Sequence, residues 1–315
     1  MDYRYLGNSG LLVSRLCFGS LTMGPLQAKL SIEEGAALLK EAFDRGINFV
    51  DTAELYNNYE YIKHAIKSRR DKVIISAKSY AYSTETAEVS LQKAMKELNT
   101  DYIDIFSLHE QESEHTIRGH HEALAYFIKA KEKGYIRAVG ISTHNVAAVV
   151  AALRYPEIQI IHPILNIAGL GIIDGSKDEM LEAIEHAAKA GKGIYSMKAL
   201  GGGNLIHSAK ECFDFVLSNQ NIHSVAVGMQ SIAEIINNIA VFEGREAPEE
   251  VKNQINNKQR KLLIDSWCNG CGSCIDKCQQ KALKLVDGKT QVNSEKCVLC
   301  GYCSAYCADF CIKII

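Results

Sequence analysis

The sequence predicts an α/β protein: a (β/α)8 TIM barrel followed by a small α+β domain. Three observations point there. Short β-rich apolar runs alternate with helix-period segments eight times over roughly the first 240 residues, which suits a barrel of about 250 residues. A doubly wound sheet, the alternative, would need a G-x-G-x-x-G turn after an early strand, and none is present. Nine of the eleven cysteines fall between positions 268 and 311 of a 315-residue chain, which marks a second, smaller unit.

The eight runs are RLCFGS, INFVDTA, KVIISAK, YIDIFSLH, IRAVGIST, IQIIHPILN, KGIYSMKAL and SVAVGM, in that order. Each is short, apolar and rich in β-branched or aromatic residues, as a strand buried on both faces must be. Between them lie amphipathic stretches such as SIEEGAALLKEAFDRG and TAEVSLQKAMKELN, with apolar residues three and four apart. After the last helical pattern, which ends at Phe242, comes EGREAPEEVKNQINNKQRK, charged and nearly free of core residues. Pro248 with Glu249 and Glu250 reads as the first turn of a connecting helix, where a missing N–H costs nothing and acids suit the dipole. The expected division is a barrel over 1–242, a charged helical linker over 243–261 and a cysteine-rich domain over 262–315.

A formal net charge of −2 without basic blocks argues against nucleic acid as a partner. No run approaches ~18 apolar residues, so no membrane span is expected. The polar start MDYRYLGNSG lacks a signal pattern, and only Cys17 and Cys212 precede the tail. A reducing, cytoplasmic location is the expectation.

The tail repeats itself. Cys268-x2-Cys271-x2-Cys274-x3-Cys278 recurs as Cys297-x2-Cys300-x2-Cys303-x3-Cys307, each cysteine 29 positions on. Thiolates converging from one tight loop suit the iron corners of a cubane. Zinc favours well-separated pairs of ligands, and disulfides need an oxidising compartment. The pattern resembles the bacterial two-cluster ferredoxins, although Gln279 and Ala308 stand where that family has proline. The resemblance implies a ferredoxin-like domain with two [4Fe-4S] clusters, the fourth cysteine of each run serving the other cluster. One cluster would then take Cys268, Cys271, Cys274 and Cys307; the second, Cys297, Cys300, Cys303 and Cys278. Cys311 aligns with Ala282 and reads as a small buried residue.

In a barrel, chemistry gathers at the C-terminal ends of strands. There the second strand is expected to end at Asp51, with Tyr56 just beyond, the third at Lys78 and the fourth at His109. A free tyrosine titrates near ~10, too high to protonate an alkoxide efficiently. A neighbouring ammonium would lower that value, with a carboxylate holding the ammonium in place. A histidine could then orient a carbonyl. Singly, each residue has an ordinary structural reading; four at three successive strand ends are harder to explain that way.

The segments FVDTAELY, ISAK and FSLH resemble the Asp–Tyr–Lys–His tetrad of the aldo-keto reductases, and the resemblance runs through GKGIYSMKALGGG and VAVGMQSIAEIINN. It implies Tyr56 as proton donor, Asp51 and Lys78 as its tuning pair, and His109 as the carbonyl-binding residue. It implies NAD(P)H as hydride carrier and a small carbonyl or alcohol as substrate. Cofactor contacts would come from Ser20, Ser142, Thr143 (where the family has Asn), His162 (where Gln is common) and Met197 (near the usual stacking aromatic). Lys198, Leu200, Gly201 and Gly203 would follow after strand seven, where barrels bind phosphates. Gly228, Gln230, Glu234 and Asn238 would complete the set. Gly228 and Glu234 stand where NADPH-specific members place Lys and Arg. A glutamate would sooner accept a ribose hydroxyl than hold a 2′-phosphate, so NADPH, NADH and no nicotinamide all stay open. A flavin has no motif in its support.

Three functions follow: a carbonyl/alcohol oxidoreductase whose clusters relay electrons to or from a one-electron carrier protein, an NAD(P)H reductase whose cluster domain only docks or stabilises, or an electron-transfer subunit on a non-catalytic barrel. Hydride carries two electrons together while each cluster passes one. The loops after the strands carry no diagnostic charge cluster, so the substrate is not named.

Overall fold

In the structure, a computed structural model describing residues 1–315, the chain opens with an antiparallel hairpin, β1 (Tyr3–Tyr5) and β2 (Leu12–Ser14). It plugs the N-terminal end of the barrel. Leu6, Leu11 and Val13 pack with Phe49, Ile74, Ile105, Ile160 and Tyr195 in the barrel interior. Gly7 makes the approach possible. Its φ is +55°, and a Cβ there would lie 2.4 Å from the Gly193 nitrogen. The sequence reading did not anticipate this hairpin.

The barrel strands are β3 (Leu16–Gly19), β4 (Phe49–Asp51), β5 (Ile74–Ser79), β6 (Ile103–Leu108), β7 (Ile136–Thr143), β8 (Ile158–Pro163), β9 (Gly193–Met197) and β10 (Ser224–Gly228). All neighbours are parallel, and β10 closes on β3. Each falls inside one of the eight apolar runs, save that β5 extends one residue past its run, to Ser79. Around them run α1 (Ile32–Asp44), α2 (Tyr59–Ile66), α3 (Thr84–Leu98), α4 (Glu114–Gly119), α5 (His121–Glu132), α6 (Val146–Ala152), α7 (Lys177–Lys189), α8 (Ala209–Ser218) and α9 (Ile232–Phe242). Capping boxes start several of them: Ser31 with Glu34 for α1, Ser83 with Thr86 for α3, Ser176 with Glu179 for α7. The main core lies between strands and helices. No helix is long and apolar enough to cross a membrane.

Past α9 the linker forms α10 (Glu249–Asn256). Pro248 stands at its N-cap, one position earlier than a first-turn proline, with Glu249 and Glu250 in the first turn. The linker also has a small core, because Ala247 and Val251 pack on Ala233 and Ala240 of α9. The C-terminal unit pairs β11 (Leu262–Ile264) with β14 (Ile312–Ile314), and β12 (Leu283–Val286) with β13 (Lys289–Val292). Leu262, Cys274, Leu283, Cys303, Ile312 and Ile314 form its core.

Candidate active site

The ends of β4, β5 and β6 bring Asp51, Lys78 and His109 into one buried cluster under the barrel mouth. Lys78 Nζ donates to Asp51 Oδ1 at 2.6 Å and to the Thr52 carbonyl at 2.7 Å. Tyr56 lies on the single turn Glu54–Tyr56 after β4, half-buried. Thr52 and Ser20 hold Asn58, which anchors that turn's far end. The Tyr56 ring lies 5.4 Å from Lys78 Nζ and meets the His109 ring edge-on at 5.9 Å. On the other side Tyr80 stacks on His109 at 4.5 Å.

The electrostatics differ from the expected ammonium-tuned tyrosine. Burial pushes the Tyr56 hydroxyl well above its ordinary value, and the Asp51 and Glu110 charges push it further. The main physical reason is burial of the hydroxyl; Lys78, the group that would lower the value, is itself paired with the Asp51 carboxylate at 2.6 Å. Burial, with Lys78, His162 and Lys198 nearby, pulls His109 well below the usual histidine range. It is therefore a neutral imidazole, and its Nδ1 has no partner.

In the C-terminal unit Cys268, Cys271, Cys274 and Cys307 line one small pocket with Thr290, Tyr306 and Ile312. Cys303 lies among Cys274, Cys300, Cys278 and Cys297; burial, then these neighbours in that order, pushes its thiol up to about 12. The repeat extends to the backbone. Ala282 N–H points at Cys278 Sγ (3.3 Å), and Cys311 N–H at Cys307 Sγ (3.1 Å). Cys311 itself is buried.

Residues 15–213 match the model described as the aldo/keto reductase family. The chain belongs to that family. This aldo/keto reductase also carries a 4Fe-4S dicluster domain, matched over residues 260–308. It is an oxidoreductase, and it is similar to the L-galactose dehydrogenase of Arabidopsis thaliana, 25% identical over 282 residues, covering 76% of this chain and 88% of that one. A structure described as an aldo-keto reductase of Pseudomonas aeruginosa superposes with a TM-score of 0.67 at 26% identity, over 77% of this chain and 94% of the other. The holo form of a Bacillus halodurans aldo-keto reductase shares the fold at 21% identity, with a TM-score of 0.66 over 81% and 95% of the two chains.

The reductase's remaining expected contacts are dispersed or already engaged. The Ser20 hydroxyl donates to the Asp51 carbonyl (2.7 Å) inside the strand wall. Ser142 Oγ accepts the Glu110 N–H, and Thr143 Oγ1 accepts the Asn145 N–H. His162 lies deeper, stacked on Tyr195 at 3.8 Å with Nδ1 on the Tyr195 carbonyl. Met197 and Leu200 pack on the barrel core. Lys198 Nζ meets His144 Nε2 at 2.8 Å, and burial pulls this lysine down to about 8. Gly201 packs against Leu170 and Leu205 of the barrel loops, and Gly203 faces the cluster domain; Gly228 abuts Thr22. Gln230 and Glu234 both hold Lys258 of the linker, and Asn238 is buried on α9.

The sequence reading missed Tyr195. Fully buried, it donates to Asp51 Oδ1 (2.9 Å) and shares a hydrogen with Ser76 (2.8 Å), bracing the carboxylate from below. Its signal was available: it lies two residues before Met197 on β9, hence on the same strand face. Phe310 and Lys313, which pack on Gly202 of the loop after β9, had no local signal.

Proposed function

We propose that this protein interconverts a small carbonyl compound and its alcohol at the barrel mouth, and that its C-terminal domain exchanges single electrons with a carrier protein. The carrying observation is the buried Asp51–Lys78 pair set directly beside Tyr56 and His109. Neutral His109 donates one hydrogen bond to the carbonyl oxygen and fixes its direction. Tyr56 holds the proton that oxygen takes as charge builds on it. Lys78 and Asp51 keep the floor rigid, and the Tyr56, Tyr80 and His109 rings exclude water. In the family a nicotinamide supplies hydride when bound.

The cysteines fit two cubanes. Cys274 and Cys303, whose thiols burial drives upward, would be held as thiolates by the charge that iron provides. Cys268, Cys271, Cys274 and Cys307 would hold one cluster; Cys297, Cys300, Cys303 and Cys278 the other; when bound, both pass electrons one at a time. Cys307→Ser is expected to halve the iron content of anaerobically reconstituted protein. Cys278→Ser should halve it too, with a different electron-spin resonance spectrum remaining. Identical residual spectra would defeat the crossed assignment.

The function is tested by reducing the holoprotein with dithionite under anaerobic conditions and adding a panel of aldehydes and ketones. Return of visible absorbance together with alcohol formation is expected. If no carbonyl reoxidises the protein, and none turns over with NADH or NADPH, the reading fails.

A further inference from the structure

Barrels of this kind bind phosphates at the loops after strands seven and eight. Here those loops are β9 to α8 and β10 to α9, and both are covered by the chain itself. After β9, Gly202 and Gly203 have φ of +66° and +87°. A Cβ on Gly203 would lie 2.0 Å from the Ile314 carbonyl oxygen, and one on Gly202 would lie 2.6 Å from the Lys313 side chain. The close backbone approach that glycine permits is thus made by β14 of the cluster domain. Asn204 Nδ2, from the same loop, donates to the Ile312 carbonyl at 3.0 Å. Phe310, buried, sits against Gly171, with Lys198 Nζ 4.9 Å from its ring centre.

The second loop is closed differently. Lys258 Nζ reaches Gln230 Oε1 (2.6 Å) and Glu234 Oε1 (2.7 Å), tying the linker across the start of α9. Ser231 Oγ accepts the Glu234 N–H, and Glu234 Oε2 accepts the Gln230 N–H, so α9 already has an acid at its N-terminus. A phosphate would meet that carboxylate in place of free donors. As folded, these residues do not fit a dinucleotide.

We propose that the docked cluster domain and its linker take the dinucleotide's place on the barrel, so that docking and NAD(P)H binding exclude each other. The roof consists of β14, Phe310 and Lys258, and it leaves the tetrad as the floor of a mouth served from the cluster side. The inference concerns the electron source of the site proposed above and draws its meaning from that reading, but its test needs no carbonyl substrate.

The test uses full-length holoprotein with oxidised clusters, titrated calorimetrically with NADH and with NADPH, while hydrogen exchange follows the amides of β14. The native chain should give no saturable heat up to about 1 mM, the upper end of ordinary KM values. Phe310→Asp with Lys258→Ala, and separately Phe310→Asp with Asn204→Ala, should expose β14 to exchange and bind at least one dinucleotide about tenfold or more tighter. Iron content and visible spectra report that the clusters remain. Native protein that binds a dinucleotide with β14 still protected overturns the proposal. So do variants with β14 released that bind neither, and so does β14 staying protected in both variants, because the named contacts would then not hold the roof down. Failure of carbonyl reduction with the binding results intact would indict only the catalytic reading.

Discussion

Lys78→Met is expected to lower the thermal midpoint of the barrel by about 6–20 °C, which corresponds to ~3–5 kcal/mol for a stranded buried charge. Lys78 is 1% exposed and Asp51 5%. The ammonium donates to both the Asp51 carboxylate and the Thr52 carbonyl. Methionine fills similar volume but supplies no donor. Asp51 would keep only the Tyr195 hydroxyl, and the Thr52 carbonyl would lose its partner. Adding Asp51→Asn removes the stranded charge, so the double variant should regain more than half of the lost midpoint while staying inactive. Circular dichroism melts of the three proteins decide it. A double variant as weak as the single would trace the loss to packing and not to charge.

What the sequence made legible was local. The eight strands showed because strands buried on both faces must be apolar and short, and Asp51, Lys78 and His109 could be placed because each lies at or next to the end of such a strand. The cysteine runs were legible because thiolate spacing alone narrows the metal chemistry. The misses are contacts between distant segments. Nothing in KALGGG distinguishes glycines shaped for a ligand from glycines shaped for β14, since both uses need the same absent Cβ. Lys258 looked like one more linker charge until the fold set it between Gln230 and Glu234. The expectation that Lys78 would lower the Tyr56 value failed for a related reason. Sequence order placed the ammonium near the phenol without saying how far the hydroxyl is buried, or that Asp51 pairs the ammonium.

That pairing shapes the second large effect. Tyr56→Phe should lower kcat for carbonyl reduction by about 10²- to 10⁴-fold, the usual range for a lost general acid. The same variant leaves cluster content unchanged, since Tyr56 touches only barrel residues. The pH profile carries more information than the rate. With its value pushed above 10 by burial and by Asp51, Tyr56 keeps its proton throughout the neutral range. Reduction should therefore stay flat from about pH 7 to 9, with no alkaline limb below the free-tyrosine value of ~10. An ammonium-lowered phenol would instead lose activity inside that window. Asp51→Asn removes the second-largest upward influence on Tyr56, so any alkaline limb in that variant should move to lower pH. On the acid side the sign reverses. Burial depresses His109, and it depresses His162 to about 4, so both are neutral in the folded protein. Their contribution to stability is complete above the unfolded value of ~6.5 and drains away as pH falls towards the folded values. Loss of activity below about pH 6.5 should accordingly track loss of folded protein, measurable in one titration by ellipticity and rate. A rate that fell there while the ellipticity held would mean that His109 takes its proton inside the intact barrel, contrary to the neutral imidazole that the buried geometry enforces.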